Sequence, residues 1–400
     1  MQKTTGLLAL TCLLAATNAE ANCPTKKTGS LQQIVQSWVD NNQPGNVFGL
    51  CAVAMDKHGN KGFACSGKRD ATHGLDSDTI FQIGSVTKTM TAALLARRVA
   101  EDDTFELSDR IDPYLPATYR RYGNNPITIQ DLATHHSGLR DNAGEYLGPA
   151  HSLDLLDDCL DASCLASGNP YDYSNWAWQI LGFMLAHRDG WGIDNWWKDI
   201  YYNVLMLNVM NVTKVHEEWQ RVDPSYFNAH AATSHTLDSN NNYVDRGTTP
   251  HPRCVNGSAN PSGCLYSSPH DMRLWLEYVM GLKTPTQVLG TARHLFRQIY
   301  DDGKDSQHEM GLAWNFSFDP DTRCHALPPN PRVSTPVYYT RVGKSGDVEG
   351  QHTWIEFLQD PYDPDGVAEL GVVVMTNSDP KGSMTVGAMG QDLLSKIPLQ

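Results

Sequence analysis

The sequence lacks the marks of several function classes. Its nine cysteines form no C-x-x-C and its fifteen histidines no H-E-x-x-H, so no metal site, zinc included, is expected. Positive charge is scarce: 31 Lys and Arg against 45 Asp and Glu leave a formal net charge of -14. Gripping a phosphate backbone takes a basic surface that displaces counterions, so this balance argues against nucleic acid and against anionic membranes as partners. There is no internal repeat and no long low-complexity run, and no apolar stretch is long enough for a membrane span.

What is present is a chain of 400 residues, 40% hydrophobic and 19% charged, able to bury one large core or two cores sharing an interface. Residues 1–22, MQKTTGLLALTCLLAATNAEAN, place a lysine before an apolar run and end on Ala-Glu-Ala at Ala21. This is the pattern of a secretory signal over 1–21, and it predicts a secreted or periplasmic chain beginning near Asn22. Cys12 lies inside the run and would suggest a lipid anchor, but the threonine before it suits that processing poorly. The eight other cysteines are then bound for an oxidising compartment, where disulfides are the default. An antiparallel pairing centred on His58 sets Cys51 opposite Cys65. Proximity pairs Cys159 with Cys164 and Cys254 with Cys264, leaving Cys23 for Cys324, although sequence does not fix connectivity.

Helical periodicity runs from Leu31 to Val39, followed by two strands around the His58-Gly59-Asn60 turn and a helix from Ser85 to Ala100. The middle alternates Pro/Gly/Asn-rich loops with helices such as Trp176 to Arg188 and His270 to Met280. The end is rich in strands, in TPVYYTRVGKSG, HTWIEFLQD and ELGVVVMTNS, before a last helix in MTVGAMGQDLLSKIP. Strands at both ends with helices between predict an α/β (α+β) fold, with an antiparallel sheet of about five strands flanked by helices. The sheet domain spans 22–100 and 270–400, and a mostly helical domain spans 101–269.

A serine hydroxyl becomes a nucleophile when a base within hydrogen-bond reach takes its proton. In FQIGSVTKTM, Lys88 lies three residues after Ser85, one helical turn on. Taken alone, Ser85 also reads as a helix cap, and Ser378-Asp-Pro-Lys381 repeats the spacing in a loop. Gly84 allows a close turn, and a helix N-terminus offers N–H groups to an oxyanion. A lysine acting as base needs desolvation or a second cation nearby. Lys344, in VGKSGDVEG at a strand end, is the candidate, and Tyr173, in YDYSNWAWQ, is a phenol such a cation would favour as phenolate. Tyr-x-Asn recurs at Tyr122, Tyr201 and Tyr226, and Lys27-Thr-Gly mimics the third pattern, so order and setting select the set.

The trio Ser85-Val-Thr-Lys88, Tyr173-Ser-Asn175 and Lys344-Ser-Gly346 resembles the penicillin-recognising serine hydrolases, particularly the class C β-lactamase branch with its D-Ala-D-Ala carboxypeptidases and esterases. ITIQDLATHHSGL, SGCLYSSPHDMRLWL, MGLAWNF and LGVVVMTNS extend the resemblance over nearly the whole mature chain. It implies a β-lactamase/transpeptidase-like fold in which Ser85 is acylated and Lys88 and Tyr173 share the proton work. It further implies that Asn175 holds a substrate amide and that Lys344, Ser345 and Gly346 line the opposite wall. The N–H groups of Ser85 and Asp347 would form the oxyanion hole.

The sequence departs from that pattern at Asp347-Val-Glu349, where relatives carry small residues. Two carboxylates there could repel a substrate carboxylate, or could point to solvent and leave only the Asp347 backbone in the site. His135 and His136 read as loop-positioning residues, Trp176, Trp178, Trp196 and Trp197 as core or cleft walls, and Glu101-Asp-Asp as a solvated helix end. Asn211, Asn256 and Asn315 head glycan-acceptor triplets that matter only on a eukaryotic secretory route. The expectation is a serine hydrolase acting through an acyl-enzyme on cell-wall D-peptides or β-lactams, without a cofactor, with a carboxylesterase or a non-catalytic scaffold as the rivals.

Overall fold

The structure is a computed structural model that describes residues 25–117, 127–139, 171–248, 261–283, 309–317 and 338–399, together with a few isolated positions, among them Cys254. The expected leader, Cys23, Cys324 and the Cys159–Cys164 pair lie outside the described residues.

The chain opens on helix α1 (Leu31–Asn42), which starts where the Ser30 hydroxyl accepts the Gln33 N–H while the Gln33 side chain accepts the Ser30 N–H. A hairpin follows, β1 (Gly49–Asp56) and β2 (Lys61–Gly67), then the short β3 (Phe81–Gln82), the central helix α2 (Thr87–Glu101) and α3 (Ile129–Ala133). Next come α4 (Asn175–Arg188), α5 (Trp196–Ile200), α6 (His216–Val222), α7 (Pro224–His230), the hairpin β4 (Ser234–Leu237) and β5 (Tyr243–Gly247), β6 (Tyr266–Ser267) and α8 (Pro269–Met280). The chain finishes with β7 (Glu309–Met310), β8 (Asn315–Ser317), β9 (Thr340–Val348), β10 (Gln351–Gln359), β11 (Leu370–Thr376) and α9 (Val386–Lys396).

The main sheet is antiparallel, in the order β2-β1-β11-β10-β9-β8-β7. Chain beginning and chain end therefore meet at the β1–β11 pair, Val53 opposite Val373. Two more strands are present than expected, because the MGLAWNF stretch folds as the short β7 and β8 on the sheet edge. The hairpin β4–β5 likewise adds strand to the middle region.

Every residue of β1 is buried, which requires cover on both faces. Leu50, Ala52 and Ala54 join Val35, Trp38 and Leu393 in a core beneath α1 and α9. The intervening Cys51, Val53 and Met55 turn the other way, into the larger core that contains α2, α4 and α8 residues. Helix α4 over Asn175–Ala186 is buried on all sides, as its apolar sequence requires, and α2 over Thr87–Ala96 is equally buried although it carries Lys88 and three threonines. The four tryptophans are part of this core, Trp176, Trp178 and Trp196 fully and Trp197 at its margin.

Two disulfides lie among the described residues. Cys51–Cys65 staples β1 to β2 at directly opposed positions, and Cys254–Cys264 ties position 254 to the segment entering β6. No helix among the described residues is long and apolar enough to cross a membrane. The acidic run at the end of α2 lies at the surface, with Glu101 and Asp103 exposed. Glu101 pairs with Arg97 and Arg98, and Asp102 with Arg188.

Candidate active site

Ser85 lies in a single tight 3-10 turn, Gly84–Val86, that leads directly into α2. Three residues per turn bring positions i and i+3 into line, so Ser85 and Lys88 stand one above the other. The cap reading does not hold. Neither this turn nor α2 has a side-chain cap, and the Ser85 Oγ accepts hydrogen bonds from Lys88 Nζ at 3.0 Å and from the Tyr173 hydroxyl at 2.8 Å.

Lys88 is fully buried, and its Nζ also donates to Asn175 Oδ1 at 2.5 Å and to the Ser262 carbonyl at 2.7 Å. Tyr173 stands just before α4, whose start is fixed by Ser174 accepting the Ala177 N–H. Beneath the Tyr173 ring lies His135, stacked at 4.2 Å, with its Nδ1 accepting the Ser174 N–H at 3.0 Å. His135 is completely buried, and burial together with Lys88, Lys344 and His136 holds its imidazole well below the ordinary range. It is therefore a neutral platform for the phenol, and His136, bonded to Thr134, braces the same turn.

Lys344 reaches the site from the middle of β9. Its Nζ lies 5.3 Å from the centre of the Tyr173 ring, and Lys88 Nζ lies 5.0 Å from the same centre. Burial pulls the Lys344 ammonium down to about 8, with Asp347 acting in the opposite sense, and the Ser345 carbonyl accepts its hydrogen bond at 2.8 Å. Two lysine amino groups thus lie close to one phenol ring, and positive charge there favours a phenolate.

The serine turn presses against β9. A Cβ on Gly346 would fall 1.9 Å from the Ile83 carbonyl oxygen, and one on Gly84, where φ is +51°, would fall 2.7 Å from the Asp347 nitrogen. Only glycine permits this approach.

Beside Ser85 opens a cavity of about 270 Å³, lined by Asn175, the Cys254–Cys264 disulfide, Asp347, His352 and Asp379 among others. The Asp347 side chain is 59% exposed, yet its Oδ1 meets His352 Nδ1 at 2.8 Å. Glu349 is equally exposed and sits 3.8 Å from Arg246. Burial opposes charge on His352, but hydrogen bonds to Asp347 and Asp379 outweigh it and lift the imidazolium to about 9.

The competing patterns go elsewhere. The buried Ser378 hydroxyl accepts the Phe48 N–H, and Tyr226 stacks on Trp219 and His230. Tyr122 lies outside the described residues.

Set beside known proteins, residues 43–395 match the beta-lactamase family. The chain belongs to that family. A comparison with curated protein sequences returned no match. Among solved structures, a class C beta-lactamase superposes with a TM-score of 0.70 at 16% identity, over 94% of this chain and 99% of that one. A beta-lactamase/D-alanine carboxypeptidase from Pseudomonas syringae gives 0.67 at 19% identity, over 92% and 98%. An octameric penicillin-binding protein homologue from Pyrococcus abyssi gives 0.63 at 19%, over 87% and 73%. At such identities the likeness is one of fold, here the β-lactamase/transpeptidase-like fold of a serine hydrolase family.

Within this beta-lactamase-family site, Ser262, Gly263 and Cys264 belong to the SGCLYSS stretch and the Cys254–Cys264 bridge is the expected pair, whereas His352 and Asp379, which also reach the cavity, were not foreseen. His352 had a readable signal, since a tight Glu349-Gly350 turn places it directly opposite Asp347 on the paired strand.

Proposed function

We propose that this protein is a secreted or periplasmic serine hydrolase whose Ser85 is acylated and then freed by water. One observation carries the reading: the Ser85 oxygen receives both the Lys88 ammonium and the Tyr173 hydroxyl, at 3.0 and 2.8 Å. In this resting arrangement both neighbours donate, so one must lose a proton before it can take the serine's. Lys88, whose Nζ also donates to Asn175 Oδ1 and the Ser262 carbonyl, and Tyr173, whose ring lies near both Lys88 and Lys344, share this work. The Tyr173 phenolate accepts the proton while the Ser85 oxygen bonds to the substrate carbonyl carbon.

The carbonyl oxygen becomes an oxyanion facing the N–H groups of Ser85 and Asp347. The bond to the leaving nitrogen or oxygen then breaks as that atom takes the proton from Tyr173. Water, deprotonated by the same phenolate, attacks the ester carbonyl carbon. The bond to the Ser85 oxygen breaks as that oxygen takes the proton back from Tyr173, and the acid product leaves. We read Asn175, on the cavity wall with its Oδ1 bonded to Lys88, as the group that holds a substrate amide, and Lys344 with Ser345 and Gly346, on the β9 segment leading to Asp347, as the side opposite it.

The substrate class that fits this machinery is the D-Ala-D-Ala-type cell-wall peptide or the β-lactam that mimics it. A specific observation supports esters as a second reading. Asp347, Glu349 and Asp379 line the cavity against one imidazolium, a poor setting for a substrate that carries a free carboxylate. Fluorescent penicillin labelling, D-Ala release from a pentapeptide and hydrolysis of a short nitrophenyl ester separate these substrates. Ser85→Ala is expected to abolish every activity, and Lys88→Ala and Tyr173→Phe to lower kcat by roughly 10² to 10⁴. A Ser85→Ala protein as active as its parent would exclude the mechanism.

A further inference from the structure

Among the described residues, the C-terminal half of β9 has one strand neighbour rather than two. On one side β8 pairs only with Arg341–Gly343, so from Lys344 onward that edge is turned to the Gly84–Val86 turn that carries Ser85. On the other side Asp347 lies opposite His352 of β10, two residues short of the Glu349-Gly350 turn. The backbone of Asp347 therefore sits near the tip of a hairpin, where strand pairing alone holds it weakly.

The His352 ring spans this tip. Its Nδ1 meets Asp347 Oδ1 at 2.8 Å and its Nε2 meets Asp379 Oδ1 at 3.0 Å. Asp379 is itself anchored, accepting the Leu237 N–H of β4 on its Oδ2 and donating its own N–H to the His235 carbonyl. The tip also closes on β4 through Gly350, where a Cβ would fall 2.7 Å from the His235 nitrogen. The other charges nearby are Glu349 at the turn and Arg246 of β5, 3.8 Å from it. Without the imidazolium, Asp347 and Asp379 would face one another as like charges across the cavity wall.

We propose that His352 is a positioning residue: it ties Asp347 to Asp379 and so keeps the Asp347 N–H aimed at the oxyanion formed on Ser85. The inference rests on the acyl-enzyme reading above. An oxyanion donor acts on charge that develops in the transition state, so its displacement lowers kcat and leaves ground-state binding alone.

The test uses the full-length mature protein, with active sites titrated, a nitrophenyl ester as substrate and a boronic acid that forms a tetrahedral adduct on Ser85. His352→Gln is expected to lower kcat and boronate affinity together by about tenfold or more, with KM within about twofold. Asp379→Asn, which keeps an acceptor but removes its charge, is expected to lose less in the same direction and covers the case in which His352→Gln does not fold. If kcat per titrated site and boronate affinity stay within about twofold of the parent while Tm falls, His352 is structural only and the proposal fails. A loss confined to KM also overturns it, by making His352 a substrate contact. Ester activity surviving in Ser85→Ala would instead remove the acyl-enzyme reading, and this inference with it.

Discussion

Gly346 gives the sharpest constraint on a single residue. Its missing Cβ is what lets β9 lie against the serine turn, and an added methyl would overlap the Ile83 carbonyl oxygen at 1.9 Å. Gly346→Ala must push the turn and the strand apart, and a shift of this kind between nucleophile and oxyanion donor costs about a hundredfold in rate. The expected result is a folded protein whose kcat for the nitrophenyl ester falls by about that factor, checked by steady-state kinetics beside circular dichroism. At this scale the sequence was most legible where a motif joins residue type to spacing. Ser85 and Lys88 are one turn apart, and a glycine stands before the one and after Lys344-Ser345. His135 was not legible in the same way, because its partners Ser174 and Tyr173 come from a chain-distant segment that no local pattern joins. For His352 the hairpin turn pointed to Asp347, but Asp379 comes from a distant segment.

Helices α2, α4 and α5 are joined by a buried charge cluster that the sequence hid. Arg98 of α2 donates to Asp189, at the end of α4, and to Asp199 of α5, whose side chain is wholly inaccessible. Burial, then Asp189, raises the Asp199 carboxyl to about 7, with Arg98 and Asn203 pulling the other way. A carboxyl whose folded pKa lies above its unfolded value of about 3.9 destabilises the fold as pH rises through that interval, and the loss is complete above about 7. Asp199→Asn should therefore gain stability relative to the parent between pH 4 and pH 8, by a few kcal/mol, read from urea unfolding at both pH values. An Asp-to-Asn difference independent of pH would contradict this account of the cluster. Helices α2 and α4 were foreseen within a residue or two, whereas the short α5 was not singled out. The short edge strands β7 and β8 were missed, since two or three residues are too few for an alternating pattern to register.

Across the whole molecule, the β1–β11 pair joins the two ends of the chain into one sheet, and the serine turn packs on β9, the fifth strand counted from the β2 edge. The Cys51–Cys65 bridge belongs to that edge. Replacing both cysteines with serine is expected to lower unfolding stability by about 3 kcal/mol, the loop-closure term for a span of this length, while leaving kcat unchanged. Denaturant unfolding and ester kinetics on the same preparation check both halves. The closure of the sheet was legible from strands at both ends and the order of motifs. The Cys51–Cys65 register followed from the hairpin's symmetry about His58. What the chain could not declare was the wall of the cavity, because His352, Asp379 and the Cys254–Cys264 bridge converge only after β4, β10 and β11 have packed.

The central claim is that segments far apart in the chain meet to make one serine reactive. It is tested most directly by mixing the protein with a fluorescent penicillin and with an activated ester, then following intact mass and mapping the modified peptide over time. The account predicts one adduct, on Ser85, absent in Ser85→Ala and formed far more slowly in Tyr173→Phe. A covalent adduct on another residue, or one that persists in Ser85→Ala, would contradict it.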